Sequence, residues 1–496
     1  LCQGRGKAVP SQRYFLRLTA RMYDFKPVLA ALSRVLLVFS VTFWVPWAWS
    51  WWADEHRLQE IWLIGFAATF VTGVLLMWWT QKHRRELMPK DGFMLVNLVW
   101  VVLPIFAALP LWLGVGRMDW TDAYFEAVSG LTATGATVLT GLEGLPLSVN
   151  VWRCFLQLFG GLGIMLLVVA VLPLLGLGGV QLYKAETPGP MKDAKLTPRI
   201  AETARGLWGV YFVLSLGCFL AYRWAGMSWS DAFMHMSTTV SLGGMSSHDA
   251  SLGYFESMRV EGVAMVFMLL AGISFARYFI VWRMGSVMSL VRDVEVRSYL
   301  VVLLVSIGLV SVLLAVENTV DSFPEALRVS AFQVISVATT TGYSSANYAL
   351  WPAFAPVLLV FLGCFVSCAG STGGGIKMVR MILLVHPRVV NPVHLGGTAI
   401  SNAVLMSVMA FMLIYGATII TLTMVLLYTG MDMVSAFTAV VATVNNIGPG
   451  LGNVGPAANY GSLTDFQTWV CTVAMMLGRL ELLSVLVLFT AQFRRK

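Results

Sequence analysis

Ten apolar stretches, each long enough to cross a bilayer, leave this chain few ways to fold: 32–52, 61–79, 93–115, 152–180, 207–227, 258–282, 298–317, 351–383, 403–429 and 466–493. A helix needs about 20 predominantly apolar residues to traverse the hydrocarbon. Of the 496 residues, 58% are apolar and 12% charged, half the charge of an ordinary soluble domain at roughly 25%. The expected class is an all-α integral membrane protein. Six Cys, mostly inside apolar runs, make no disulfide framework. The net charge of +8 is not a nucleic-acid footprint, because the basic residues fall in short clusters between apolar stretches.

Those clusters set orientation. Lys82, Arg84, Arg85 and Lys90 lie in one loop, and Lys184, Lys192, Lys195, Arg199 and Arg205 in another. The positive-inside rule makes both cytoplasmic. Arg283, Arg292 and Arg297, and the tail Arg494-Arg495-Lys496, fall on the same side if all ten stretches span. Both termini are then expected in the cytoplasm. The tryptophans Trp47, Trp49, Trp51 and Trp52 read as an interfacial belt.

Four opposite-side loops, 119–145, 229–250, 321–348 and 432–456, are too long and too apolar to be simple connections. Each starts polar, at Asp119–Asp122, Ser228–Asp231, Asp321–Glu325 and Asp432–Ser435, as helix N-termini do. Each runs apolar for about three turns and then breaks, in Thr132–Thr137, Thr239–Ser246, Ala338–Ser344 and Asn445–Gly450. Aligned on Gly135, Gly244, Gly342 and Gly448, the breaks lie 109, 98 and 106 residues apart. This is an internal repeat of span, short helix, glycine turn and span. It divides the chain into an N-terminal segment with two extra spans (1–92) and four repeats, 93–200, 201–297, 298–401 and 402–496.

Backbone that leaves the helix at membrane depth survives only buried in protein or lining water, so four re-entrant turns imply four pseudo-symmetric repeats around one pore. Carbonyl oxygens there can replace the hydration shell of an alkali cation. A short helix entering from outside aims its negative C-terminal end at the cavity, favouring a cation. Asp119, Asp122, Glu126, Glu143, Asp231, Asp249 and Asp321 either raise the local cation concentration or only cap helices.

A further break falls inside 351–383, at Cys368-Ala369-Gly370-Ser371-Thr372-Gly373-Gly374-Gly375-Ile376-Lys377. Glycines that dense cannot continue a stable helix. Gly370 and Gly375 mimic the spacing of a phosphate loop, but Ile376 separates the last glycine from Lys377 and no Ser or Thr follows. Lys377 can remain there or snorkel toward the cytoplasm. Arg479 sits 13 residues into the last span, about 20 Å along it. A guanidinium that deep costs at least about 2.5–3.5 kcal/mol, so it must face water or a polar partner. Either it holds the 370–375 loop through its carbonyls and opposes cation passage, or it pairs with a residue such as Glu481.

Leu131–Thr137, Gln181–Pro190, Gly243–Asp249, Ala338–Tyr343, Cys368–Gly375, Asn445–Gly450 and Gly478-Arg479-Leu480-Glu481 together resemble the Trk/Ktr/HKT superfamily of potassium transporters, most of all its bacterial TrkH family, over nearly the whole chain from about 30 onward. The resemblance implies uptake of K+ across the bacterial inner membrane through a gated pore. The filter would be formed by Thr134, Gly135, Leu242, Gly243, Gly244, Thr341, Gly342, Asn446, Ile447 and Gly448. Glycine in all four repeats is the potassium-type pattern. Gly370, Ser371, Thr372, Gly373, Gly374, Gly375, Lys377 and Arg479 would form the gate. The resemblance further implies a homodimer and a cytosolic ring of TrkA-like nucleotide-binding subunits, with no organic cofactor in this chain. The connection from Arg380 to Asn402 is shorter than the family leads one to expect, which bears on that coupling.

Two competitors remain at this point. A sodium- or proton-coupled symporter on the same fold needs titratable carboxylates along the axis, and the spans hold few. A membrane-embedded enzyme would use His248, Asp249 and Glu256 as its polar site and leave the fourfold repeat idle. Cys364 and Cys368, four residues apart in an apolar span, are expected only to pack.

Overall fold

Lipid offers a backbone no hydrogen-bond partner, so apolar segments of this length close their hydrogen bonds internally as helices. The computed structural model describes residues 25–81, 88–116, 118–171, 200–385, 394–395, 398–399, 402–480 and 482. Gln181–Pro190, Glu481, both termini and most of the 380–402 connection lie outside these residues. The first span is α1 (Lys26–Ser40) and α2 (Trp44–Trp52) joined by a 3-10 turn, followed by α3 (His56–Thr80) and α4 (Pro89–Gly114). Next come α5 (Trp120–Leu131), α6 (Leu147–Val171), α7 (Ile200–Ala225), α8 (Trp229–Val240) and α9 (Met258–Ala271). Then follow α10 (Phe275–Met284), α11 (Met288–Val291), α12 (Val294–Val316), α13 (Phe323–Ala338), α14 (Phe354–Phe365) and α15 (Met378–Val385). The described chain ends with α16 (Asn402–Tyr428), α17 (Met433–Val444) and α18 (Asp465–Arg479).

Among the described residues six helical stretches are long and apolar enough to span: α1–α2, α3, α4, α7, α12 and α16. The stretch read as one span at 258–282 is instead two helices, α9 and α10, meeting at 84°. The stretch at 351–383 is broken as expected, into α14 and α15. One departure from an all-helical chain is a short antiparallel pair, β1 (His394–Leu395) and β2 (Thr398–Ala399), in the connection before α16.

Four short helices, α5, α8, α13 and α17, form the middle of the molecule. Each packs beside the helices that precede and follow it in the chain, and also against the helix that follows the short helix before it: α8 on α6, α13 on α9, α17 on α14, and α5 on α18. The last contact joins the last described helix to the first of the four short ones, so the arrangement is a closed ring. The N-terminal spans stay outside it, α1 and α3 against α4, and α2 against α6. Trp51 and Trp52, at the end of α2, are exposed as belt residues are, while Trp47 packs against the core.

Candidate functional site

The short helices begin where the polar residues foretold. Asp119 accepts the Asp122 N–H at 2.8 Å, Ser228 accepts from Asp231 at 3.0 Å and Asp432 accepts from Ser435 at 2.9 Å. Each bond satisfies a helix donor that has no partner within the helix. α13 is the exception: Ser322 precedes it without a side-chain cap, and Pro324 sits in its first turn.

The four helices end alike. The N–H of the residue before each glycine reaches back five positions: Thr134 to Ser129 O and Gly243 to Thr238 O, both at 2.9 Å, Thr341 to Ser336 O and Ile447 to Ala442 O, both at 2.8 Å. To allow this, the residue before that one adopts a left-handed conformation: Ala133 (φ 51°), Leu242 (55°), Thr340 (65°) and Asn446 (54°). This is the Schellman ending, here without its customary glycine. Glycine comes two residues later, at Gly135 (φ 84°), Gly244 (70°), Gly342 (81°) and Gly448 (95°).

Close approach demands glycine there as much as the dihedral does. A Cβ on Gly135 would lie 2.1 Å from Gly243 O; on Gly244, 1.9 Å from Thr341 O; on Gly342, 1.9 Å from Ile447 O; and on Gly448, 2.8 Å from Thr134 O. Every glycine faces the carbonyl that precedes the next repeat's glycine, and the fourth returns to the first. Eight of the ten predicted filter residues, Thr134, Gly135, Gly243, Gly244, Thr341, Gly342, Ile447 and Gly448, are thus brought into one ring, and Leu242 and Asn446 lie in the left-handed turns that lead into it.

Each turn has its own brace. In the first, Glu126 and Arg153, both buried, pair at 2.6 Å; Glu126 accepts from Thr137 Oγ1 at 3.0 Å and Arg153 donates to it at 3.0 Å. Arg153 also donates to Ser246 O of the second turn at 3.3 Å. In the second, Gln157 donates to Gly243 O at 2.8 Å and accepts from Met245 N–H at 3.2 Å. The Tyr343 hydroxyl of the third turn donates to His235 O at 3.1 Å and bonds the Thr238 hydroxyl. In the fourth, Tyr460 donates to Gly448 O at 2.8 Å, and Asn446 Nδ2 to Thr134 Oγ1 of the first turn at 2.8 Å.

The 370–375 loop lies against the inner ends of the short helices. Thr372 Oγ1 donates to Val240 O at 3.0 Å, and Gly374 N–H to Thr340 Oγ1 at 2.8 Å. A Cβ on Gly374 would fall 2.0 Å from Asn445 O. Arg479, 3% exposed, donates to Thr372 O at 2.9 Å and to Gly160 O of α6 at 3.5 Å. The carbonyl contact expected of it is therefore present. Lys377 does not snorkel: it is buried, and its ammonium donates to Gly373 O within the loop.

The outer acids divide between roles. Glu126 is buried against Arg153 and is no part of a solvent-facing field. Asp249 accepts the Gly141 N–H at 2.7 Å and the Leu142 N–H at 3.1 Å, tying the second outer loop to the first. His248 stacks on Tyr254 at 3.6 Å, with ring nitrogens 3.6 Å from Glu143 and 3.4 Å from Asp231. Asp249 is thus committed to backbone donors rather than to a site shared with His248.

A family model described as "TrkH: Cation transport protein" matches residues 58–495. The chain belongs to the TrkH family. It is therefore a transporter and not an enzyme. It is 41% identical over 486 residues to a Trk system potassium uptake protein TrkH of Halomonas elongata, covering 95% of this chain and 100% of that one. With TrkH of Escherichia coli strain K12 the identity is 42% over 423 residues, 83% of this chain and 87% of that protein. The crystal structure of the potassium transporter TrkH from Vibrio parahaemolyticus superposes with TM-score 0.86 at 36% identity, covering 95% of this chain and all of that one.

Sequence reasoning missed the braces of this TrkH-family chain. Arg153 and Gln157 had a signal available: two strongly polar residues in an otherwise apolar span require partners. Tyr460 offered none.

Proposed function

We propose that the chain carries potassium ions inward across the bacterial inner membrane through a channel-like pore at the centre of the four repeats. The oxygens of Thr134, Gly243, Thr341 and Ile447 replace water around the ion, and the loop 370–375, latched by Arg479, obstructs the path beneath them. The observation that carries this reading is the closed ring, in which each glycine makes room for the next repeat's carbonyl. Fixed dipoles arranged this way coordinate a monovalent cation without any titratable group. The relatives' names, as Trk system potassium uptake proteins, agree with it.

In the cell the chain works as a homodimer with both termini in the cytoplasm, and a cytosolic nucleotide-binding ring of the TrkA kind moves the loop. The relatives' name, "Trk system", implies only that they work with other components of that system. Purified protein in liposomes tests the transport reading through rubidium uptake, with sodium as competitor and the proton gradient clamped. Uptake that persists under the clamp and resists sodium supports a potassium pore. Uptake that requires a sodium or proton gradient replaces it with coupled symport.

A further inference from the structure

The 370–375 loop has a second attachment, away from Arg479. α9 stops at Ala271 and α10 starts at Phe275, and the backbone groups freed by that break are taken up by the loop's flank. Gly272 O accepts the Cys368 N–H at 3.1 Å, and Gly370 O accepts the Phe275 N–H at 3.0 Å. Behind them lies Glu295, in the first turn of α12 and 3% exposed. Its Oε1 accepts the Ala369 N–H at 2.8 Å and the Val379 N–H at 3.3 Å. Val379 is the second residue of α15, where an N–H has no partner within its own helix. One carboxylate oxygen therefore caps α15 from another element and, through the same atom, holds the residue just before Gly370.

Its surroundings connect it to the bent helix. Asp293, the N-cap of α12, accepts from Glu295 N–H at 3.1 Å and Val296 N–H at 3.2 Å, and its carboxylate pairs with Arg277 of α10. A buried carboxylate is costly to keep unless donors satisfy it. Here the donors are the main chain on either side of the loop, so the group is satisfied only while both flanks stay in place.

We propose that Glu295 is the positioning residue that fixes the loop in its obstructing conformation by clamping both flanks with a single oxygen. The inference rests on the loop being the gate. Arg479 holds the loop's middle and Glu295 its ends, and opening requires both to let go.

Rubidium uptake by the full chain in liposomes without any cytosolic subunit tests this, normalised to monodisperse protein. Glu295→Ala removes the oxygen that accepts both N–H groups and leaves those buried donors unpaired, and basal uptake should rise about tenfold or more. Glu295→Gln keeps Oε1 at the same reach and should stay near wild type, a rescue that separates clamping from charge. Glu295→Asp, one methylene shorter, should leak, and it serves if the alanine variant does not fold. Rubidium-over-sodium preference should be unchanged in all three, since the ring lies outside the clamp. Wild-type uptake in Glu295→Ala and Glu295→Asp while Arg479→Ala leaks would overturn the inference alone. Leakage in Glu295→Gln equal to that in Glu295→Ala would also overturn it. Failure of Arg479→Ala and the Glu295 variants alike to leak would overturn the gate reading, and the clamp with it.

Discussion

Replacing Gly244 with Ser puts a Cβ where the ring has no room for one. The atom would lie 1.9 Å from Thr341 O, against the 3.0 Å below which real Cβ contacts essentially do not occur. The carbonyl must retreat by about 1 Å, and it belongs to a backbone held by the Thr341–Ser336 bond at 2.8 Å. The positive φ of 70° adds about 1–2 kcal/mol for any side chain. A ligand oxygen displaced that far serves the larger, weakly hydrated ion less well, and a loss of 1–2 kcal/mol in the difference between two ions is about a 5–30-fold loss of preference. The assay is rubidium uptake into liposomes against rising sodium, compared with Gly141→Ser. Gly141 also has positive φ, 68°, but a Cβ there meets nothing within 4 Å, so it reports backbone strain without intrusion. Gly244→Ser should shift the sodium competition curve and Gly141→Ser should not. Identical curves for wild type and Gly244→Ser would refute the argument from the ring.

Three further outcomes are expected. Gln157→Leu, similar in volume, frees Gly243 O and Met245 N–H together, and should weaken selectivity with total uptake retained; this is read from the same competition curve. Arg479→Ala should raise uptake without regulatory subunits about tenfold, because a charged hydrogen bond to Thr372 O is worth about 1.5–3 kcal/mol. Glu126→Ala strands the buried Arg153 charge and should cost about 3–5 kcal/mol of stability, seen as a lower melting temperature in detergent. Replacing the pair by apolar residues of like volume should cost less than either single change.

Local signals were legible in the sequence, and tertiary ones were not. The four short helices announce themselves through capping residues at Asp119, Ser228 and Asp432 and through glycines at a near-constant interval. Both are short-range properties that survive translation into linear sequence. Ala133, Leu242, Thr340 and Asn446 carry the left-handed turns without glycine, so composition hides them; only the common reach of the next N–H, five residues back, reveals the motif. The bend between α9 and α10 left little mark because 262–276, which contains it, has no charge and no proline, and an isolated Gly272 in a helical pattern is commonly tolerated. It forms because Cys368 and Gly370, nearly 100 residues away, supply the backbone partners that the break requires. Glu295 escaped for a related reason: its donors lie 74 and 84 residues downstream, and a Glu in a first helical turn normally needs no partner beyond its own helix. Arg479 was readable because a lone guanidinium deep in an apolar span demands a polar contact wherever it is found.

The most direct test is crystallographic. Crystals grown in rubidium or thallium salts, with anomalous data collected at the metal's edge, should show a peak bounded by the Thr134, Gly243, Thr341 and Ile447 oxygens, and Gly244→Ser should weaken it. A well-diffracting crystal with ordered ions elsewhere along the protein and no anomalous density within that ring would contradict the account.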